Sequence, residues 1–232
     1  RKPDGTRTTS KKSSDAQRET FKRFRWRTAS QMEQLRDLTV FTTRVGALVH
    51  ELQRERGMSV VFLNSGGQQM AAELPGQRRL TSGQLVSTRD AAKSVPLAGF
   101  APGVLDAIAT GVAATQELDA RRAEISARGI VGAESNRFFT GLIGKLLPVP
   151  REAVKFSSAP EVTTGLLAYY SYLSAKERAG QERATGAVGF AAGQFTAAQH
   201  HTYFGAVAEQ RAFFEAFDPM QRRRSVRSPI VS

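Results

Sequence analysis

Cysteine is absent from this 232-residue chain, which excludes a disulfide framework and a thiolate metal site. The absence does not decide the compartment, because many exported proteins also lack cysteine. No apolar run approaches the ~18 residues that a membrane-spanning helix requires. Histidine is scarce, with only His50, His200 and His201. "HELQR" at 50–54 begins like a zinc-protease HExxH motif, but Arg54 stands where the second ligand belongs. His200 and His201 are adjacent and point to different faces of a helix. A phosphate-cradling glycine loop, a nucleophile elbow and a kinase signature are all missing. Catalysis has little support, and no cofactor or metal is expected.

Charge is plentiful but unevenly placed. The net charge is +12, which invites a nucleic-acid partner. Residues 1–36 hold eleven Lys/Arg against four Asp/Glu, and residues 219–232 hold four arginines and no acid. The remaining 182 residues carry 18 basic and 17 acidic side chains. The body is therefore neutral and the ends are basic. "RKPDGTRTTSKKSS" and "QRRRSVRSPIVS" are polar and low in aromatics, so residues 1–14 and 219–232 are expected to be disordered basic tails. Such tails can touch phosphates or an anionic membrane surface, but a solvated tail or a juxtamembrane stump is the more ordinary reading. The chain begins with Arg1 rather than methionine and reads as processed, excised or incomplete. As written it suits the cytoplasm; excised from a membrane receptor, it would be extracytoplasmic.

With 41% hydrophobic residues the chain can bury a real core. From Asp15, a candidate N-cap, to Ser65 there is no proline and there are two glycines, Gly46 and Gly57. This predicts about fifty residues of continuous helix, roughly 75 Å long. "NSGG" (64–67) stops it and "LPG" (74–76) makes a second break. Further helices are predicted over 77–94, 104–128 and 133–147, the last stopped by "PVP". Another runs from Ser158–Pro160 through Phe195, and a final one stops at Asp218–Pro219. No stretch alternates at period two like a strand. The expected fold over 15–218 is all-α, an antiparallel helical bundle arranged as two four-helix-type bundles sharing long helices.

"HELQRERGMSVVFLNS" (50–65) puts an arginine on a core face. Leu48, Leu52, Arg56, Ser59, Val60 and Leu63 share one stripe at helical spacing. In "YYSYLSAKERAGQERATGAVGF" the expected inward stripe is Tyr169, Tyr172, Lys176, Ala179/Gly180, Arg183, Ala187 and Phe190. Each inward arginine follows a glutamate and precedes a small residue. Gly57, Gly180 and Ala184 are expected to permit close approach of a helix or ligand. Two inward arginines repel, so protein carboxylates or a bound anion must lie between them. Glu55, Glu177 and Glu182 are near in sequence, but Glu55 and Glu182 are rotated about 100° from their adjacent arginines. Guanidinium forks match small planar oxyanions. Gln53, Arg54, Ser59 and Lys176 are secondary donors, more ordinarily placed at the edge of the stripe. A lone inward arginine is more often carboxylate-paired or snorkelling than a ligand clamp.

At these residues the chain resembles the nitrate- and nitrite-sensing (NIT) domain family of bacterial receptors, over roughly 44–217. The resemblance is most specific at "LVHELQRERGMS" (48–59) and "AKERAGQERA" (175–184), and weaker at "LPGQRR" and at "RRAEI" before Leu146–Leu147. It departs from the family's pattern at Phe138–Phe139, where a tyrosine is expected, and this pair is read as packing. The resemblance implies an all-helical sensor in which Arg56 and Arg183 grip nitrate or nitrite. It implies an attached output module, of chemoreceptor, histidine kinase, cyclic-dinucleotide or RNA-antiterminator type, none of which this chain matches. The expected partners are the anion, the output module and a second copy of the chain in a homodimer, with nucleic acid disfavoured. The competing readings are a helical receptor for another small anion or organic acid, and a basic helical adaptor binding nucleic acid through its tails. If the anion supplies the only charge between the arginines, deleting either should hold or raise stability without anion.

Overall fold

The computed structural model describes the backbone of residues 6–95, 100, 102–156, 160–191 and 193–225, and the side chains of 32–95, 100, 102–155, 160–190 and 193–217. Eight α-helices and no strand occur among the described residues: α1 (Thr6–Asn64), α2 (Leu74–Ser94), α3 (Pro102–Ala114), α4 (Leu118–Ser126), α5 (Gly132–Leu146), α6 (Pro148–Phe156), α7 (Pro160–Ala191) and α8 (Ala197–Ser225). No helix among them is long and apolar enough to cross a membrane.

α1 is the spine. Its buried face carries Leu38, Phe41, Val45, Leu48, Val49 and Leu52, spaced by three and four as a core-facing stripe requires. α2, α5, α6 and α7 all pack on it. Glu51 meets Gln77 and Arg44 meets Thr88, so α2 runs antiparallel to α1. α5 is antiparallel too, with Thr140 opposite Arg56 and Gly132 against Asn64. α7 runs parallel to α1: Gly46 faces Tyr169, His50 faces Lys176, and Arg56 faces Gly180. α8 returns antiparallel along α7, pairing Tyr170 with Phe213 and Arg178 with Glu209. At the α7–α8 turn, Phe190, Phe195 and Tyr203 form an aromatic cluster with ring centroids 5.3–6.3 Å apart, Phe190 standing edge-on to the other two.

The fold is the expected all-α bundle, with several differences of boundary; α2, for one, already starts at Leu74 inside "LPG", and α7 ends at Ala191 rather than Phe195. The predicted helix 104–128 is broken by a 3₁₀ turn at Thr115–Glu117, where Arg89 bonds the Thr115 hydroxyl at 2.9 Å. "PVP" starts α6 as well as following α5, since proline suits a first helical turn. α1 already begins at Thr6, so Asp15 lies inside the helix rather than capping it. α8 runs past Asp218–Pro219 to Ser225. A proline removes one backbone bond without ending every helix, and the arginines that follow are good helix formers. Composition alone read both ends as disordered, whereas 6–14 and 219–225 are helical; residues 1–5 and 226–232 lie outside the described residues.

Candidate functional site

The inward position of Arg56 follows from its stripe on α1, and the residue is 4% exposed. Its charge is met by Glu177 of α7, itself 3% exposed. Nη1 donates to Oε1 at 2.6 Å and Nη2 to Oε2 at 3.2 Å, a two-pronged guanidinium–carboxylate pair. Nη1 also donates to the Thr140 hydroxyl of α5 at 2.9 Å. Gln53 and Gln181 each donate an amide N–H to the same carboxylate, both at 2.9 Å. Glu177 thus accepts four bonds, from two α1 side chains and one of its own helix. A Cβ added at Gly180 would lie 2.6 Å from Nη2 of Arg56. Glycine there lets the guanidinium rest against the α7 backbone.

Arg183 is placed differently. It is exposed, with no hydrogen bond or ion pair among the described residues. It sits one turn beyond Gly180, on the flank that carries Lys176. Lys176 meets the ring Nδ1 of His50 on α1. Burial holds the Lys176 ammonium below its ordinary range; Glu51 and Glu177 oppose that shift and Arg183 adds to it. Burial also depresses His50, reinforced by Lys176 and Arg54 and opposed by Glu51. Lys176 and Arg183 therefore carry the positive charge on this flank of the α1–α7 seam, beside a His50 held toward its neutral form.

The expected stripe on α7 is out of phase with the observed one. Tyr172 and Phe190 are exposed, while Leu166, Leu173, Ser174 and Glu177 are buried. The helix has neighbours on several sides, α1, α6 and α8, and small residues as well as Tyr169 and Tyr170 mark the contacts. Gly186 lies under Tyr203 and Gly189 under Phe195. Arg56 does not wait for an anion as its only counter-charge, so deleting it cannot be neutral for stability. Gly57 is exposed, with open space where a Cβ would go, and provides no close approach. Ala184 is half-buried. Ser59 is fully buried one turn beyond Arg56, and its hydroxyl is unpaired. Gln53 is half-buried, with its Oε1 also unpaired. Phe139 is fully buried and Phe138 stacks edge-on against it at 5.4 Å, so this pair does pack.

Sequence reasoning missed a second buried pair. Glu55 is completely buried, and Arg122 of α4 grips it through Nε at 2.7 Å and Nη2 at 2.8 Å. Arg122 also donates to Ser82 of α2 and to Asp119. Burial works against the Arg122 charge, but its bonds to Glu55 and Asp119 outweigh that and raise it. Arg78 lies 3.8 Å from Glu55 and is lowered by burial and by Arg122. "LPGQRR" and "RRAEI" thus supply a brace joining α1, α2 and α4, not an anion site. The readable signal was Glu55 itself, about 100° around α1 from Arg56 and so on another buried face. Nothing in the sequence pointed to Thr140.

The chain is 34% identical over 201 residues to a nitrate regulatory protein of Klebsiella oxytoca, covering 86% of this chain and 50% of that one. The structure of the NasR transcription antiterminator superposes with a TM-score of 0.80 at 32% identity, over 87% of this chain and 55% of the other. The chain thus spans about half the length of the curated relative it matches. The model of the NIT family, described as nitrate and nitrite sensing, matches residues 47–228. With both arginine-bearing segments inside that match, the chain belongs to the NIT family of nitrate- and nitrite-sensing domains.

Proposed function

We propose that this chain binds nitrate or nitrite at the α1–α7 seam, between Arg56 and Arg183, and passes a helix rearrangement to an output module. The observation that carries the reading is the contrast between the two arginines. Arg56 presents a buried fork against Gly180, while Arg183 stands one turn away with its charge unmet. Lys176 adds positive charge on the same flank, where it meets His50, and the unpaired Ser59 hydroxyl is a further buried donor. A small planar anion is the ligand such forks recognise.

Binding would tie α1 to α7, and a ligand preferring the tied arrangement shifts the population toward it. α1 and the α7–α8 hairpin are the elements long enough to carry that shift outward. The output partner and a homodimeric assembly belong to the same proposal, as does the absence of any catalytic role. Calorimetry against nitrate, nitrite, sulfate and chloride tests it. Binding of the planar anions alone, lost in Arg56→Ala and in Arg183→Ala, is the expected result. Equal heats from all four anions would sink the site, and tight salt-sensitive binding to duplex nucleic acid would favour the adaptor reading instead.

A further inference from the structure

We propose that Glu177 is a built-in competitor for the anion, its carboxylate occupying the slot that nitrate or nitrite takes on Arg56. The proposal rests on the reading of the site given above. A carboxylate and nitrate are both planar and present paired oxygens to a guanidinium fork. The slot around the Glu177 carboxylate is lined by N–H donors: two nitrogens of Arg56, one of Gln53 and one of Gln181. Such a set recognises a flat oxyanion by shape and charge, whether it arrives on a side chain or free. Both terminal nitrogens of Arg56 are engaged, so an incoming anion takes this end-on fork only as Glu177 yields it.

The structure gives Glu177 somewhere to go. On the flank of α7 opposite Arg183, a cavity of 310 Å³ lies between α5, α6, α7 and α8. Glu177 borders it, together with Thr140, Ser174, Arg151 and Arg178. A displaced carboxylate therefore enters cationic, hydroxyl-lined surroundings and avoids the cost of an apolar core. Arg178 bonds Glu209 of α8 at 2.5 Å. Glu177 moving outward competes with Glu209 for Arg178, which links occupancy of the slot to the hold of α7 on α8. The affinity for nitrate is then the difference between what the anion and Glu177 each gain from the same donors.

Nitrate titration of the wild type, Glu177→Asp and Glu177→Ala, with melting temperatures in the absence of nitrate, tests the assignment. The Kd for nitrate should fall about tenfold or more in Glu177→Ala, with Glu177→Asp between. Melting temperatures without nitrate should fall in that same order, so affinity and stability move in opposite directions. A residue that merely braces Arg56 gives the reverse, with affinity lost alongside stability; that outcome, or an unchanged Kd, overturns the proposal. If Glu177→Ala fails to fold, rescue by sodium nitrate but not by sodium chloride supports it. Failure in both salts leaves Glu177→Asp to decide, by a tightened Kd or an unchanged one. Failure of the underlying reading looks different: the wild type then binds no nitrate, or Arg56→Ala binds it equally well.

Discussion

Arg56 is buried and bonded to Glu177, whereas Arg183 is exposed and unbonded, so alanine should act differently at the two positions. Arg56→Ala leaves the Glu177 carboxylate buried without its cation, a change that typically costs about 3–5 kcal/mol. Urea unfolding should show that loss, together with the loss of nitrate binding. Arg183→Ala removes an unpartnered surface charge, so stability should stay within ~0.5 kcal/mol. Calorimetry should nonetheless show nitrate binding gone, and retained binding would remove Arg183 from the site. His50 adds a pH dependence at the same seam, where Lys176, Arg54 and Glu51 face it. Its folded pKa lies below the ordinary 6.5, mainly through burial and Lys176. The folded state therefore binds fewer protons than the unfolded one in that window, and stability falls as pH drops below 6.5. A nearby anion raises the His50 pKa, so nitrate binding should take up protons there and tighten as pH falls. His50→Gln should flatten both slopes in melting and calorimetric titrations.

Between elements, two buried ion pairs hold α1 from adjoining faces about 100° apart, Glu55 to Arg122 of α4 and Arg56 to Glu177 of α7. Arg122→Ala should cost about 3–5 kcal/mol by stranding Glu55. In calorimetry it should leave the nitrate Kd of the folded protein unchanged, because its bonds reach Ser82 and Asp119 and not the α7 seam. Gly180→Ala is the counterpart at the seam: a Cβ 2.6 Å from the guanidinium forces Arg56 or α7 to shift. Nitrate binding should weaken there while helix content measured by circular dichroism holds. The helices themselves were legible because apolar residues recur by three and four along α1 and α5, and Gly and Pro punctuate the breaks. Arg56 was legible as a charge amid leucines. Its partner was not, since two helices more than a hundred residues apart have no register in one sequence. The buried face of α7 was misphased for a related reason. A helix clasped between α1 and α8 hides small residues on two flanks, and large aromatics such as Tyr172 and Phe190 then fall on the outside.

Over the whole molecule the net charge is carried at the ends, while the contiguous apolar cluster lies within 38–166. Removing residues 1–14 and 220–232 should therefore spare both folding and nitrate affinity, as read by melting temperature and calorimetry. Loss of binding in a folded truncation would mean that the tails supply part of the site. The same layout bears on how far a small motion travels. Between Thr6 and Arg56, α1 is a single uninterrupted helix, about 75 Å of rod. Leu38 lies only about 27 Å from Arg56 along it. If the rod pivots at the seam, a sideways displacement of ~1 Å at Leu38 becomes about 3 Å at Thr6, within the range of motion seen in switching helices. The helix is in this sense geared: it trades a short, forceful stroke beside the core for a long, gentle one at its far end.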